Sequence, residues 1–71
     1  MNYWDEFFTI QNEALLSLDK AKIIEYMEKY SIPMPRNEKA FWTAVHKARL
    51  ELLNLPQEEK IMSAWWLQSN R

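Results

Sequence analysis

The sequence predicts an all-α fold, a compact bundle of three to four short helices in a single domain spanning residues 1–71. Three observations carry this expectation. Apolar residues recur at about 100° per residue in four successive stretches. Residues with capping side chains stand ahead of three of those stretches, and prolines separate the later ones.

Helix one is predicted over residues 3–17. Asn2 is placed to cap it, and Asp5 and Glu6 fall in the first turn, where the helix dipole favours acids. Tyr3, Trp4, Phe7, Phe8, Ile10, Ala14 and Leu15 form one broad stripe. Gln11 lies inside that stripe and must find a partner if buried, whereas Leu16 lies opposite and is expected at the surface. Helix two is predicted over residues 20–30, capped by Asp19, with Leu18 and Ile23 at hydrophobic-staple spacing. Its inward face is Ile23, Ile24, Met27 and Tyr30, and Glu25 and Lys29 form an outward i, i+4 pair. The stretch SIPMPR then ends the helix, because two prolines separated by one residue favour an extended path.

Asn37 is placed to cap helix three, predicted over residues 38–53. Phe41, Val45, Ala48 and Leu52 make its main inward stripe, and Trp42, His46, Leu50 and Leu53 a second one. Arg49 falls between the two, and Lys47 points away from both. Helix four is predicted over residues 56–68, with Pro56 at its first position and Glu58 and Glu59 in its first turn. Ile61, Ala64 and Trp65 share one stripe, Met62 and Trp66 lie beside it, and Leu67 is on the far side.

Composition excludes several function classes. A chain this short buries only about 60% of its unfolded surface, so it needs a dense core or a staple. With no cysteine it has neither disulfides nor thiolate metal ligands, and a single histidine cannot build a multi-histidine metal site. No metal or cofactor is therefore expected. Bulk comes instead from ten Phe, Trp and Tyr residues. The absence of glycine excludes phosphate-cradling loops. No apolar run approaches the roughly 20 residues of a membrane span. The acidic start MNYWDEFF is unlike a secretory signal, so a cytoplasmic location is expected.

Charge is uneven. Residues 1–30 carry six acids against three lysines, and residues 36–49 carry four cations against Glu38. The two halves could complement each other, or the basic segment could face an anion. For His46 the chemical reading is a general base, but no neighbouring motif supplies a nucleophile or acid. A structural histidine packed near Trp42 is the expectation, and no catalytic residue is assigned. Arg49 has the chemistry of a phosphate grip, but its place between two apolar stripes favours a structural role, its stem packed and its head paired with a carboxylate or stacked on Trp42.

The stretch FWTAVHKARLELLNLP, followed by AWWL, resembles a set of small proteins of tailed bacteriophages and prophages that share FWxxVHKAR, a short spacer, LP and a WL pair. The likeness spans Ile32 to Leu67. Phe41, Trp42, Val45, His46, Lys47, Ala48 and Arg49 occupy its core, with Leu55, Pro56, Trp66 and Leu67 behind them. The resemblance implies a phage or prophage origin, acting in the bacterial host cytoplasm, and no established activity.

The expected function is a protein-interaction module, an inhibitor or modulator of a host protein, rather than an enzyme. Trp42, His46, Leu50, Met62, Trp66 and Leu67 are the candidate contact residues. Trp42 is expected to be packed between helices and Trp66 to be partly exposed as an anchor. The partner would be a host or phage protein, with self-association as another mode and no membrane. The alternative is a small helix-turn-helix-like DNA-binding protein using Arg36, Lys39, Thr43 and Lys47. Against it stand the long SIPMPR connection and the two acids opening helix four, so nucleic acid is not the expected partner.

Overall fold

The computed structural model describes residues 3–70 and divides after Met34 into two compact units. The expected Asn2 cap lies outside the described residues. The all-α expectation holds: among the described residues the only regular elements are four helices, α1 (Tyr3–Ser17), α2 (Lys20–Lys29), α3 (Glu38–Leu50) and α4 (Gln57–Ser69). Each unit is one helix pair, α1 with α2 and α3 with α4.

In the first unit the pair is antiparallel, because contacts to later residues of α1 fall on earlier residues of α2. Phe7 meets Tyr30 edge-on at 4.7 Å, and Gln11 reaches Tyr26. The reversal of direction is local chemistry. Leu18 turns left-handed at φ 54°, Ser17 Oγ donates to the Ala14 carbonyl, and the Asp19 N–H donates back to Ser17 Oγ. Asp19 then caps α2 by accepting from the N–H groups of Ala21 (2.9 Å) and Lys22 (3.4 Å). These bonds satisfy donors that a helix start leaves without partners. Ala14, Leu15, Ile23, Tyr26 and Met27 are buried.

The expected partners of this unit are partly revised. Lys29 pairs with Glu6 across the helices at 2.9 Å, rather than with Glu25 along its own helix. Gln11, inside the apolar stripe, resolves its burial by donating from Nε2 to the Tyr26 hydroxyl at 3.2 Å. Tyr26 itself points inward, although helix-two periodicity assigned the inward face to its neighbours. Tyr3, Trp4 and Phe8, read as stripe residues, are more than half exposed.

In the second unit Asn37 caps α3 by accepting from the Ala40 N–H at 2.8 Å. The helix stops at Leu50, not at residue 53. The N–H groups of Glu51 and Leu52 bond three residues back, to Ala48 and Arg49, which tightens the chain into a turn. That turn buries Leu52 and Leu55 and leaves Leu53 95% exposed. The apolar run LELL looks helical throughout, but burying Leu52 together with Leu55 requires the bend. Pro56 precedes α4 as its cap residue, where a missing N–H costs nothing, and its carbonyl accepts from the Lys60 N–H.

Candidate functional site

The polar centre of the second unit is built from two short spacings. His46 and Arg49 sit three apart on α3, and Glu59, Ser63 and Trp66 follow at i, i+4 and i+7 on α4, so each set occupies one helix face. The helices run antiparallel, and the two faces meet. Arg49 is fully buried, and its guanidinium donates from one terminal nitrogen to Glu59 Oε1 at 2.6 Å. Its Nε donates to Ser63 Oγ at 2.8 Å. Ser63, also fully buried, lies 3.0 Å from His46 Nδ1. The imidazole, 4% exposed, stacks on the Trp66 ring with centroids 4.6 Å apart and planes 21° from parallel.

Arginine only donates, so Ser63 Oγ accepts from Arg49 Nε, and the same hydroxyl faces His46 Nδ1 across a contact in which either group can donate. Burial pushes the His46 pKa below the ordinary 6.5, and the neighbouring Arg49 charge pushes it further down, so both favour the neutral ring. The result is a continuous chain from a carboxylate-anchored cation through a hydroxyl to an imidazole. No buried side-chain nitrogen or oxygen among the described residues lacks a partner.

A serine hydroxyl beside an imidazole invites a nucleophile–base reading, and the surroundings argue against it. Ser63 has no accessible surface, and one lone pair of its oxygen is committed to a buried guanidinium. A substrate could not approach Oγ, so the network is a structural lock. Among the described residues there is also no group of three potential metal-ligating side chains.

Of the expected contact residues, Trp42, His46 and Trp66 meet, with His46 packed near Trp42 as expected at 6.4 Å between ring centroids. His46 is interior, however, and Trp42, Met62, Trp66 and Leu67 are half-buried, while Leu50 is 37% exposed. Trp42 donates from Nε1 to Glu38 Oε1 at 3.0 Å and meets Phe41 edge-on. Instead, Ile61 and Trp65 on α4 are 60% and 64% exposed, with exposed Ala64 between them. The reason is register. Apolar residues surround α4, and the polar pairing of Glu59 and Ser63 with Arg49 selects which face turns inward. Ser63 was missed in the sequence because a lone serine on a helix reads as surface. Its signal is the match between His-x-x-Arg on one helix and Glu-x-x-x-Ser-x-x-Trp on the next.

Of the nucleic-acid candidates, Lys39, Thr43 and Lys47 fall along one side of α3, and Arg36 stands just ahead of its Asn37 cap. With Asn37, Glu38, Ala40 and Ala44 they line an open groove of about 830 Å³. No helix is long and apolar enough to cross a membrane among the described residues. Compared with known proteins, the chain matches no family model, no curated protein and no solved structure.

Proposed function

We propose that this chain is a small protein-interaction module of phage or prophage origin, binding a host protein in the bacterial cytoplasm rather than catalysing a reaction. The observation that carries the reading is the outward pair Ile61 and Trp65, one turn apart on α4. The opposite face of that helix is held on α3 by the buried Arg49 network, so the pair is presented on a braced element. Rigid aromatic anchors of this kind dominate protein interfaces, because they bury much area at little entropic cost. The resemblance of the Phe41–Pro56 stretch and of Trp66 and Leu67 to small phage proteins supports the proposed origin.

The test is affinity capture from a bacterial lysate with the wild-type chain and with Ile61→Asp and Trp65→Asp, each checked for helicity by circular dichroism. A band captured by the wild type and lost from both variants is expected. Capture that survives both substitutions would refute this surface as the contact.

The DNA-binding reading keeps one supporting observation, the shared groove of Arg36, Lys39, Thr43 and Lys47. Glu38 lies in the same groove and lowers its positive charge. Duplex DNA at physiological salt is expected to bind no tighter than the nonspecific range of about 10⁻⁴ to 10⁻⁶ M. Sequence-selective binding far below that range, weakened by Lys47→Glu, would favour DNA instead.

A further inference from the structure

We infer that the groove between α1 and α2 is a second docking site, for a basic amphipathic helix of a partner protein. The groove holds about 670 Å³, and Ile10, Ala14 and Tyr26 give it an apolar floor. Ala14 and Tyr26 are buried, and the Gln11–Tyr26 bond ties the two helices beneath it. A small residue such as Ala14 lets another chain approach closely. Two antiparallel helices expose such a furrow along their length, and a third helix is the element whose shape fits it.

Charge on the banks selects the occupant. Glu13 stands on the α1 side, and Glu25 and Glu28 on the α2 side, with Lys22 and Lys29 as the cations of the lining. Lys29 is already matched by Glu6 at 2.9 Å. Three carboxylates therefore face one remaining lysine, a net of minus two, with acids on both banks. The complementary ligand has an apolar stripe flanked on both sides by Lys or Arg. A helix with apolar residues at i, i+3, i+4 and i+7 and cations beside them has that pattern. An acidic helix would meet like charge on both flanks. This site lies on different helices from Ile61 and Trp65, so it stands or falls separately from the α4 surface.

The probes are two fluorescein-labelled peptides of roughly five helical turns, one built from Leu and Lys and its counterpart from Leu and Glu, titrated by fluorescence anisotropy. The Leu/Lys peptide is expected to bind at least ~10-fold tighter than the Leu/Glu peptide. Glu25→Lys combined with Glu28→Lys, both at exposed positions, should weaken it by ~10-fold or more, while Lys22→Glu should strengthen it. Glu51→Lys combined with Glu58→Lys, both at exposed positions away from the groove, is the charge-matched control and should leave the affinity unchanged. Circular dichroism of every variant establishes that the helices persist. Equal binding of the two peptides, or an affinity insensitive to the α2 charges, overturns the proposal. So does peptide binding lost in Trp65→Asp but kept in the Glu25/Glu28 variant, which would assign the peptide to α4. Self-association abolished by the Glu25/Glu28 variant would make a second copy the occupant, and would equally overturn it. The lysate capture with Trp65→Asp reads the α4 surface independently of all these outcomes.

Discussion

Ser63 shows how much one hydroxyl can organise. Its oxygen accepts from Arg49 Nε and faces His46 Nδ1, so Ser63→Ala removes one bond from a buried cation and one from a buried ring. Losing a partner in the interior costs more than the bond contributes on average, because the desolvated group that remains has no water to turn to. Ser63→Ala is expected to destabilise the chain by about 1 to 3 kcal/mol in urea unfolding. The imidazole adds a pH dependence. Its pKa in the folded chain is lowered, by burial first and then by Arg49, so the unfolded chain binds the proton more readily. The folded state binds fewer protons just below pH 6.5, and stability therefore rises with pH across that window. The contribution is complete above the unfolded pKa of 6.5 and declines as pH falls toward the folded value. Melts at pH 7.5 and 5.5 are expected to show a drop that is smaller in His46→Gln. An equal drop in both proteins would place the acid sensitivity elsewhere.

Helix ends and helix faces differ in how openly the sequence declares them. Asp19 and Asn37 were legible as caps because capping is settled within three residues, and both side chains accept the expected N–H groups. The end of α3 was not legible, since Leu52 and Leu53 continue the apolar pattern and only the burial of Leu52 with Leu55 decides where the chain turns. The face of α4 was hidden for a related reason: with Ile61, Met62, Ala64, Trp65, Trp66 and Leu67 distributed around it, periodicity prefers no side. The adjacent tryptophans make the outcome measurable. Trp66 stacks on buried His46, whereas Trp65 is 64% exposed. Trp66→Ala is expected to cost roughly 2 kcal/mol or more and Trp65→Ala less than about 0.5 kcal/mol, read from thermal melts. The end of α2 offers a gain. Ser31 is left-handed at φ 54°, its N–H bonds to Glu28 and that of Ile32 to Met27, the paired bonds of a Schellman cap. In a chain without glycine, serine carries that conformation at a cost of about 1 to 2 kcal/mol. Ser31→Gly relieves it, part of the gain being offset by a freer unfolded chain, and should raise stability by about 0.5 to 1 kcal/mol. An unchanged or lowered melting temperature would show that Ser31 is not strained.

At the scale of the whole molecule, a near-neutral charge meets a surface rich in large apolar side chains. The net charge is −1 at pH 7 and the isoelectric point is about 5.8, so charge repulsion between copies is weakest in mildly acidic solution. Trp4, Ile61, Leu53 and Trp65 are each at least 60% exposed, and Trp4 and Leu53 were not legible as surface because periodicity places both on apolar stripes. Transfer of an exposed tryptophan face from water is worth on the order of 3 kcal/mol at about 25 cal/mol per Å². That attraction acts at every pH, whereas the opposing repulsion fades toward the isoelectric point. Light scattering of the chain is therefore expected to peak near pH 5.8 and to fall toward pH 8. Replacing Ile61 and Trp65 together by Gln leaves the charge unchanged and removes only the apolar contribution, so the peak should shrink without moving. Circular dichroism at the same pH separates this from exposure of the interior on loss of the His46 contribution, which would lower helicity as well. A peak of undiminished height in the doubly substituted chain, with helicity intact, would mean that association uses another surface, and the exposed α1 residues Trp4 and Phe8 would be the next to replace.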